Sequence, residues 1–312
     1  MNPLEPAKLL EAVDARTKLA GSNKMELLLF SLGTHETFGI NVFKVREVSP
    51  TPPITLTPNM PDGVEGVISL RGSIIPVISL ARFIRLEGAP EGIGETLIVT
   101  EFSRHTQGFL VQDVDRIIRV DWDKVKPPEN NLAGQDGMIT AITELDDGRL
   151  VSILDVERVL VEVLGEKAVP SLPKVESVRD ATVFFADDSS VARKEIVSVL
   201  DQLGVKYIQS NDGREAWNKL VNMADRSAAE RKPVKNTVQL ILVDAEMPEM
   251  DGYVLTKNIK SDQRFAGIPV IMHSSLSSEA NRTMGQKVGV DAYVAKFDPT
   301  VLAETLMAFL KR

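Results

Sequence analysis

Cysteine is absent from this 312-residue chain. Disulfides, thiolate metal sites and thiol catalysis are therefore excluded. Long apolar runs are missing as well, and nothing approaches the ~18 consecutive apolar residues that would span a bilayer. The first residues, Met1-Asn2-Pro3-Leu4-Glu5, have neither the basic nor the apolar region of a secretory leader. The expected location is the cytoplasm. A basic excess is lacking too. The net charge is −8, with 19 Lys+Arg against 26 Asp+Glu in residues 1–179 and 17 against 18 in the rest. Neither part has the positive charge needed to grip a phosphate backbone, so nucleic acid is not an expected partner. The sequence shows no fixed-period repeat and no low-complexity segment. What is present is an ordinary globular composition, 43% hydrophobic and 26% charged, in a chain long enough for two domains.

The two parts are patterned differently. Residues 1–21 suggest an N-terminal helix, with Leu9, Leu10 and Val13 at helical spacing. From Met25 to Leu154 the pattern is that of strands. Phe38, Ile40 and Val42 alternate with Gly39 and Asn41, and short runs follow at Val64–Leu70, Ile74–Leu80, Leu97–Thr100, Gly108–Val111 and Ile139–Thr143. Asp146-Asp147-Gly148 marks a hairpin before Arg149–Leu154. This region, 22–165, predicts an all-β, barrel-like domain closed by a short helix at Asp155–Leu164. Residues 166–180 contain Pro170 and Pro173 and little periodicity, which predicts a linker. In 181–312 strands alternate with helices. Ser189 or Ser190, Asp212, Gly252 and Ser277 mark helix starts, and Leu302, Leu306, Phe309 and Leu310 line a last helix. Five strands and five helices in alternation predict a doubly wound, flavodoxin-like α/β fold with a parallel sheet.

Four polar positions of this second part stand where short apolar runs end. They are Asp187-Asp188 after Thr182–Ala186, Asp244 after Val238–Val243, Ser274 after Val270–His273, and Lys296 after Ala292–Ala295. Runs of this length read as strands buried on both faces. Ligands of open α/β sheets bind beyond the carboxyl ends of the strands, so three carboxylates, a hydroxyl and an ammonium should meet on one rim. Mg²⁺ takes oxygen ligands, commonly one or two carboxylates with phosphate oxygens, and a carboxylate can accept phosphate covalently. Singly, each residue has an ordinary reading: a helix cap for Asp187-Asp188 and Ser274, a turn residue for Asp244, a solvated charge for Lys296.

Together with Met247-Pro248-Glu249-Met250-Asp251-Gly252 and Tyr293-Val294-Ala295-Lys296, these positions resemble the receiver domain of two-component response regulators over roughly 180–312. The 30 residues from Asp244 to Ser274 and the 22 from Ser274 to Lys296 match the family's spacing. The resemblance implies that Asp244 is the phosphorylated aspartate, assisted by Lys296 and Ser274. It implies a Mg²⁺ site of Asp187, Asp188, Asp244 and the backbone carbonyl of Glu246. Ser274 and Tyr293 would form the switch, although Tyr293 also reads as a half-exposed packing aromatic. Three departures stand out. Lys296 is followed by Phe297 rather than proline, Asp225–Thr237 reads as an inserted solvated loop carrying Arg226, Arg231, Lys232 and Lys235, and Glu246 stands two residues after the acceptor.

Residues 1–179 hold no metal-ligand or nucleophile constellation. His35 and His105 have no His or Cys partner at ligand spacing and read as surface or packing residues, while Asp113 and Asp115 read as turn or strand-end charges. Phe38-Gly39-Ile40-Asn41-Val42, Val45-Arg46-Glu47-Val48 and above all Gly66–Ile78, with its Leu70-Arg71-Gly72 followed by Ile75-Pro76-Val77-Ile78, resemble the CheW coupling domain of bacterial chemotaxis. That family implies a double β-barrel joining chemoreceptor tips to the histidine kinase CheA, with Arg71 and Gly72 at the partner-binding turn. Arg71 equally reads as a turn arginine in a surface ion pair. Ser79 stands where the family has aspartate. A coupling domain followed by a receiver is the architecture of CheV-type chemotaxis proteins. The function implied is a phosphorylatable, non-enzymatic adaptor at chemoreceptor arrays, with a phosphate sink as the alternative. A haloacid dehalogenase-type phosphatase would need a second aspartate where Glu246 stands. The receiver pattern runs to Arg312 with no second pattern behind it, so a DNA-binding regulator is not expected.

Overall fold

The computed structural model describes residues 24–90, 94–102, 105–128, 138–164, 180–275 and 279–311. The expected N-terminal helix, most of the expected linker and Ser277 lie outside the described residues. The described residues fall into two compact units, 24–164 and 180–311.

The first unit contains two five-stranded sheets. One has the order β8 (Asp113–Asp121), β1 (Lys24–Ser31), β2 (Thr37–Asn41), β10 (Leu150–Leu154), β9 (Ile139–Glu144). The other runs β3 (Val45–Pro50), β6 (Thr96–Phe102), β7 (His105–Val111), β5 (Ser73–Ser79), β4 (Val64–Leu70). Period-2 side-chain placement explains how so few strands serve three cores. On β1, Met25, Leu27 and Leu29 join Trp122, Val151 and Ile153 inside the first sheet. The alternate residues Leu28 and Phe30 face the other way, meeting Ile78, Ile98 and Phe109 of the second sheet. Ile68, Val77, Leu97 and Leu110 form the interior of that second sheet. The short helix α1 (Leu80–Phe83) is capped by Ser79, and α2 (Val156–Leu164) packs Val159 and Leu160 into the shared core.

Two hairpins follow from turn chemistry. Asp147 accepts from the Arg149 N–H and Gly148 has φ +83°, as the Asp-Gly signal requires. Leu70 pairs with Ser73 across a two-residue turn in which Arg71 and Gly72 both have positive φ, +50° and +85°. That is the type I′ geometry whose twist matches the flanking strands. The parallel pairings β10 with β2 and β5 with β7 were not legible from local pattern. Asp113 opens β8, as a strand-end charge should.

The second unit is a parallel sheet of order β12 (Lys206–Ser210), β11 (Thr182–Ala186), β13 (Leu240–Val243), β14 (Val270–Ser274), β15 (Ala292–Ala295). Its helices are α3 (Ser190–Leu203), α4 (Gly213–Ala229), α5 (Gly252–Ser261), α6 (Glu279–Val288) and α7 (Pro299–Leu310). Separate apolar clusters cover the two faces of the sheet, Phe184 and Ile241 facing one and Phe185 and Leu242 the other. Ser189, Asp212, Asp251 and Asp298 cap four helices, and Gly204 ends α3 in the left-handed region at φ +71°.

The expected loop at Asp225–Thr237 is corrected here. Its first five residues extend α4, with Ser227 buried just after Ala224, and Val234 is buried in a short 3₁₀ turn. Ala and Ser carry too little hydrophobicity to mark an inward helix face, so the pattern looked uniformly polar. Arg226, Arg231, Lys232 and Lys235 are nonetheless exposed.

Candidate functional site

Strand order brings the candidates together. β11, β13, β14 and β15 are parallel neighbours, so the residues ending them share one rim. Lys296 Nζ lies 2.9 Å from Asp244 Oδ2 and 3.1 Å from Asp187 Oδ1. The ammonium is 2% exposed, and Asp187 and Asp244 are 0% and 3% exposed. Ligand oxygens of Asp187, Asp188 and Asp244 lie within 4.8 Å of one another, the only such group among the described residues. Three carboxylates against one ammonium leave an excess of two negative charges. Lys296 is thus a buried bridge rather than a solvated charge.

The backbone around Asp244 is tightly determined. A Cβ on Gly252 would lie 1.9 Å from the Asp244 carbonyl oxygen, so only glycine lets the start of α5 close over the acceptor loop. Asp187 is held by the Ser189 N–H, which donates to its Oδ1 at 2.9 Å. Ser274 is buried at the end of β14, and its carbonyl accepts from the Lys296 N–H at 3.1 Å. No peptide bond among the described residues is cis. The Lys296–Phe297 bond is therefore trans, and Phe297 turns the chain at φ +61°.

Tyr293 is half-buried beside Ser274 and Tyr253, with the Arg282 guanidinium 5.4 Å from its ring centroid. Burial pushes its phenol up to about 12, against the pull of the Ser274 hydroxyl. Arg71 and Gly72 belong to the other unit, where Arg71 pairs with Glu47.

Three residues near the acidic group escaped sequence reasoning. Arg193 on α3 donates to the carbonyl oxygens of Asp187 and Asp188. His273, 1% exposed, places Nδ1 3.9 Å from Asp187 Oδ2. Burial holds the Glu195 carboxyl above its ordinary range, with His273 pulling the other way. A histidine inside an apolar strand run was the available signal for His273. Arg193 and Glu195 lie in an amphipathic helix whose polar residues all look alike in sequence.

Residues 26–163 match the CheW-like domain and residues 183–307 the response regulator receiver domain. Chemotaxis protein CheV3 of Helicobacter pylori is 33% identical over 280 residues, which cover 88% of this chain and 89% of the relative. The chain belongs to the CheV family. Chemotaxis protein CheV1 of the same organism is 29% identical over 98% of this chain and 99% of its own length. Chemotaxis protein CheW of Klebsiella aerogenes is 30% identical over 46% of this chain and 87% of its own. The family couples a CheW-like domain to a receiver domain, the architecture its sequence motifs implied. No described helix is long and apolar enough to cross a membrane.

Receiver domains bind Mg²⁺ at an acidic site, and the residues present here suit such an ion. The donor set is all oxygen, as a hard cation prefers. Asp187 Oδ2 is buried and accepts no hydrogen bond, although Lys296 Nζ stands 3.1 Å away.

Proposed function

We propose that this chain is a phosphorylatable adaptor. Its CheW-like unit couples chemoreceptor tips to the histidine kinase CheA at cytoplasmic receptor arrays, and its receiver accepts phosphate on Asp244. The observation that carries this reading is the buried Lys296 ammonium, shared by Asp244 and Asp187 at the carboxyl rim of a parallel sheet.

In the reaction, an Asp244 oxygen attacks the phosphorus of a kinase phosphohistidine. The P–O bond forms as the P–N bond breaks, and the departing imidazole takes up a proton. Such a transfer needs little beyond positioning and neutralisation of the three equatorial oxygens. Lys296 would hold one oxygen as a compact point charge, and the Ser274 hydroxyl would donate to another. Mg²⁺, held by Asp187, Asp188, Asp244 and the Glu246 carbonyl, would supply the remaining positive charge. The protein thus promotes its own modification and turns over no separate substrate. Drawing Ser274 toward the phosphoryl group would free the Tyr293 phenol it contacts, which makes Tyr293 the second half of the switch.

The test is kinase activity in reconstituted receptor complexes. Complexes with verifiably phosphorylated wild type should differ in kinase output from those with Asp244→Asn. Equal output would replace the switch with a phosphate sink.

The turn of the first unit gives a separate prediction. Arg71 is 68% exposed on the side chain and its pair with Glu47 is a surface one, worth about 0–1 kcal/mol. Arg71→Glu should therefore leave the unfolding midpoint nearly unchanged while lowering assembly into receptor complexes about tenfold, roughly 1.4 kcal/mol of binding. Co-sedimentation with receptor and kinase measures this. Normal assembly by the variant would return Arg71 to an ordinary turn role.

A further inference from the structure

We infer that Arg193 is a positioning residue of the acidic site: it clamps the turn presenting Asp187 and Asp188 and so sets the affinity for Mg²⁺. This rests on reading the cluster as a magnesium site. The geometry is direct. Arg193 Nη1 donates to the Asp187 carbonyl at 2.9 Å and to the Asp188 carbonyl at 2.8 Å. Both carbonyls lie after β11 and before α3, in the turn that carries the two side chains to the rim. The Asp187 N–H is only loosely tied, at 3.3 Å from the Ser210 carbonyl.

Arg193 is half-buried. The nitrogen that reaches the turn is occupied by backbone oxygens. The bonds that tie Arg193 to the turn run to backbone oxygens, so they fix the backbone that carries the Asp187 and Asp188 side chains. Without the clamp, binding a cation would have to immobilise a two-residue turn that is now held in advance.

Charge and clamping predict opposite signs. As a bare positive charge beside a cation site, Arg193 would oppose Mg²⁺, and its removal would tighten binding. As a clamp, its removal must weaken binding. Arg193→Met in the full chain keeps the apolar stem and removes both donors and charge. Calorimetric titration with Mg²⁺ alone should show about a tenfold loss of affinity, the lower end of what outer-shell changes cost at metal sites. Circular dichroism without metal should show the fold retained. Arg193→Lys, with the charge kept on a shorter stem, should also bind more weakly, and it decides the question by the same criterion if the Met variant fails to fold. Unchanged or tighter binding by a folded variant overturns the clamp while leaving the metal reading intact. A wild type that takes up no Mg²⁺ would overturn the metal reading and the clamp with it.

Discussion

Asp244→Asn should reduce phosphorylation to background, whether the donor is the kinase or a small acyl phosphate with Mg²⁺. An amide oxygen is a poor nucleophile, and the remaining carboxylates are differently placed. Asp187 is held by the Ser189 N–H and by Lys296. Asp188 follows β11, whereas Asp244 follows the central β13. The substitution keeps size and shape and removes one charge from a crowded acidic group, so the fold should survive it. Labelling can be read by mass spectrometry or by phosphoryl-specific gel shift. Undiminished labelling of a folded variant would remove Asp244 from the acceptor role.

Lys296→Met should strongly destabilise the second unit when metal is absent. The ammonium is the shared partner of Asp244 and Asp187, all three nearly inaccessible to solvent. Breaking a buried pair by removing one member leaves uncompensated charge and costs about 3–5 kcal/mol. Methionine keeps the apolar stem and its volume, so lost packing adds little. Urea unfolding in EDTA should show the loss through Trp217, the tryptophan of the second unit packed beside Phe265. Added Mg²⁺ should restore more stability to the variant than to the wild type, because a cation would replace the missing charge and act by mass action on the folded state. A loss below about 1 kcal/mol, the ceiling for a typical exposed pair, would mean that Lys296 is not the counter-charge its distances suggest.

The candidate residues of the acidic site were legible because each one interrupts or ends an apolar run, and parallel sheets place such ends on one side. Asp187, Asp244, Ser274 and Lys296 could be assigned to that rim before any coordinates. The Arg71-Gly72 turn was visible as a motif, but its type I′ backbone was not, since arginine gives no local sign of a positive φ. His273 was hidden because one polar residue in a buried strand does not disturb the strand pattern. The end of α4 was misjudged for the opposite reason: Ala224 and Ser227 are buried without being strongly apolar.

The sequence by itself determined the two fold classes and the residue types available for phosphoryl chemistry. These depend on periodicity, turn formers and strand ends, all of which are local in the chain. Tertiary structure alone decided the rest. It placed Lys296 against Asp187 across 109 residues and against Asp244 across 52, and it set β10 parallel to β2 in the first unit. It also turned Arg193 onto two carbonyls rather than onto solvent. Electrostatic pairing and strand register act between segments distant in the chain, and their energies depend on burial and distance, quantities that exist only once the chain has folded.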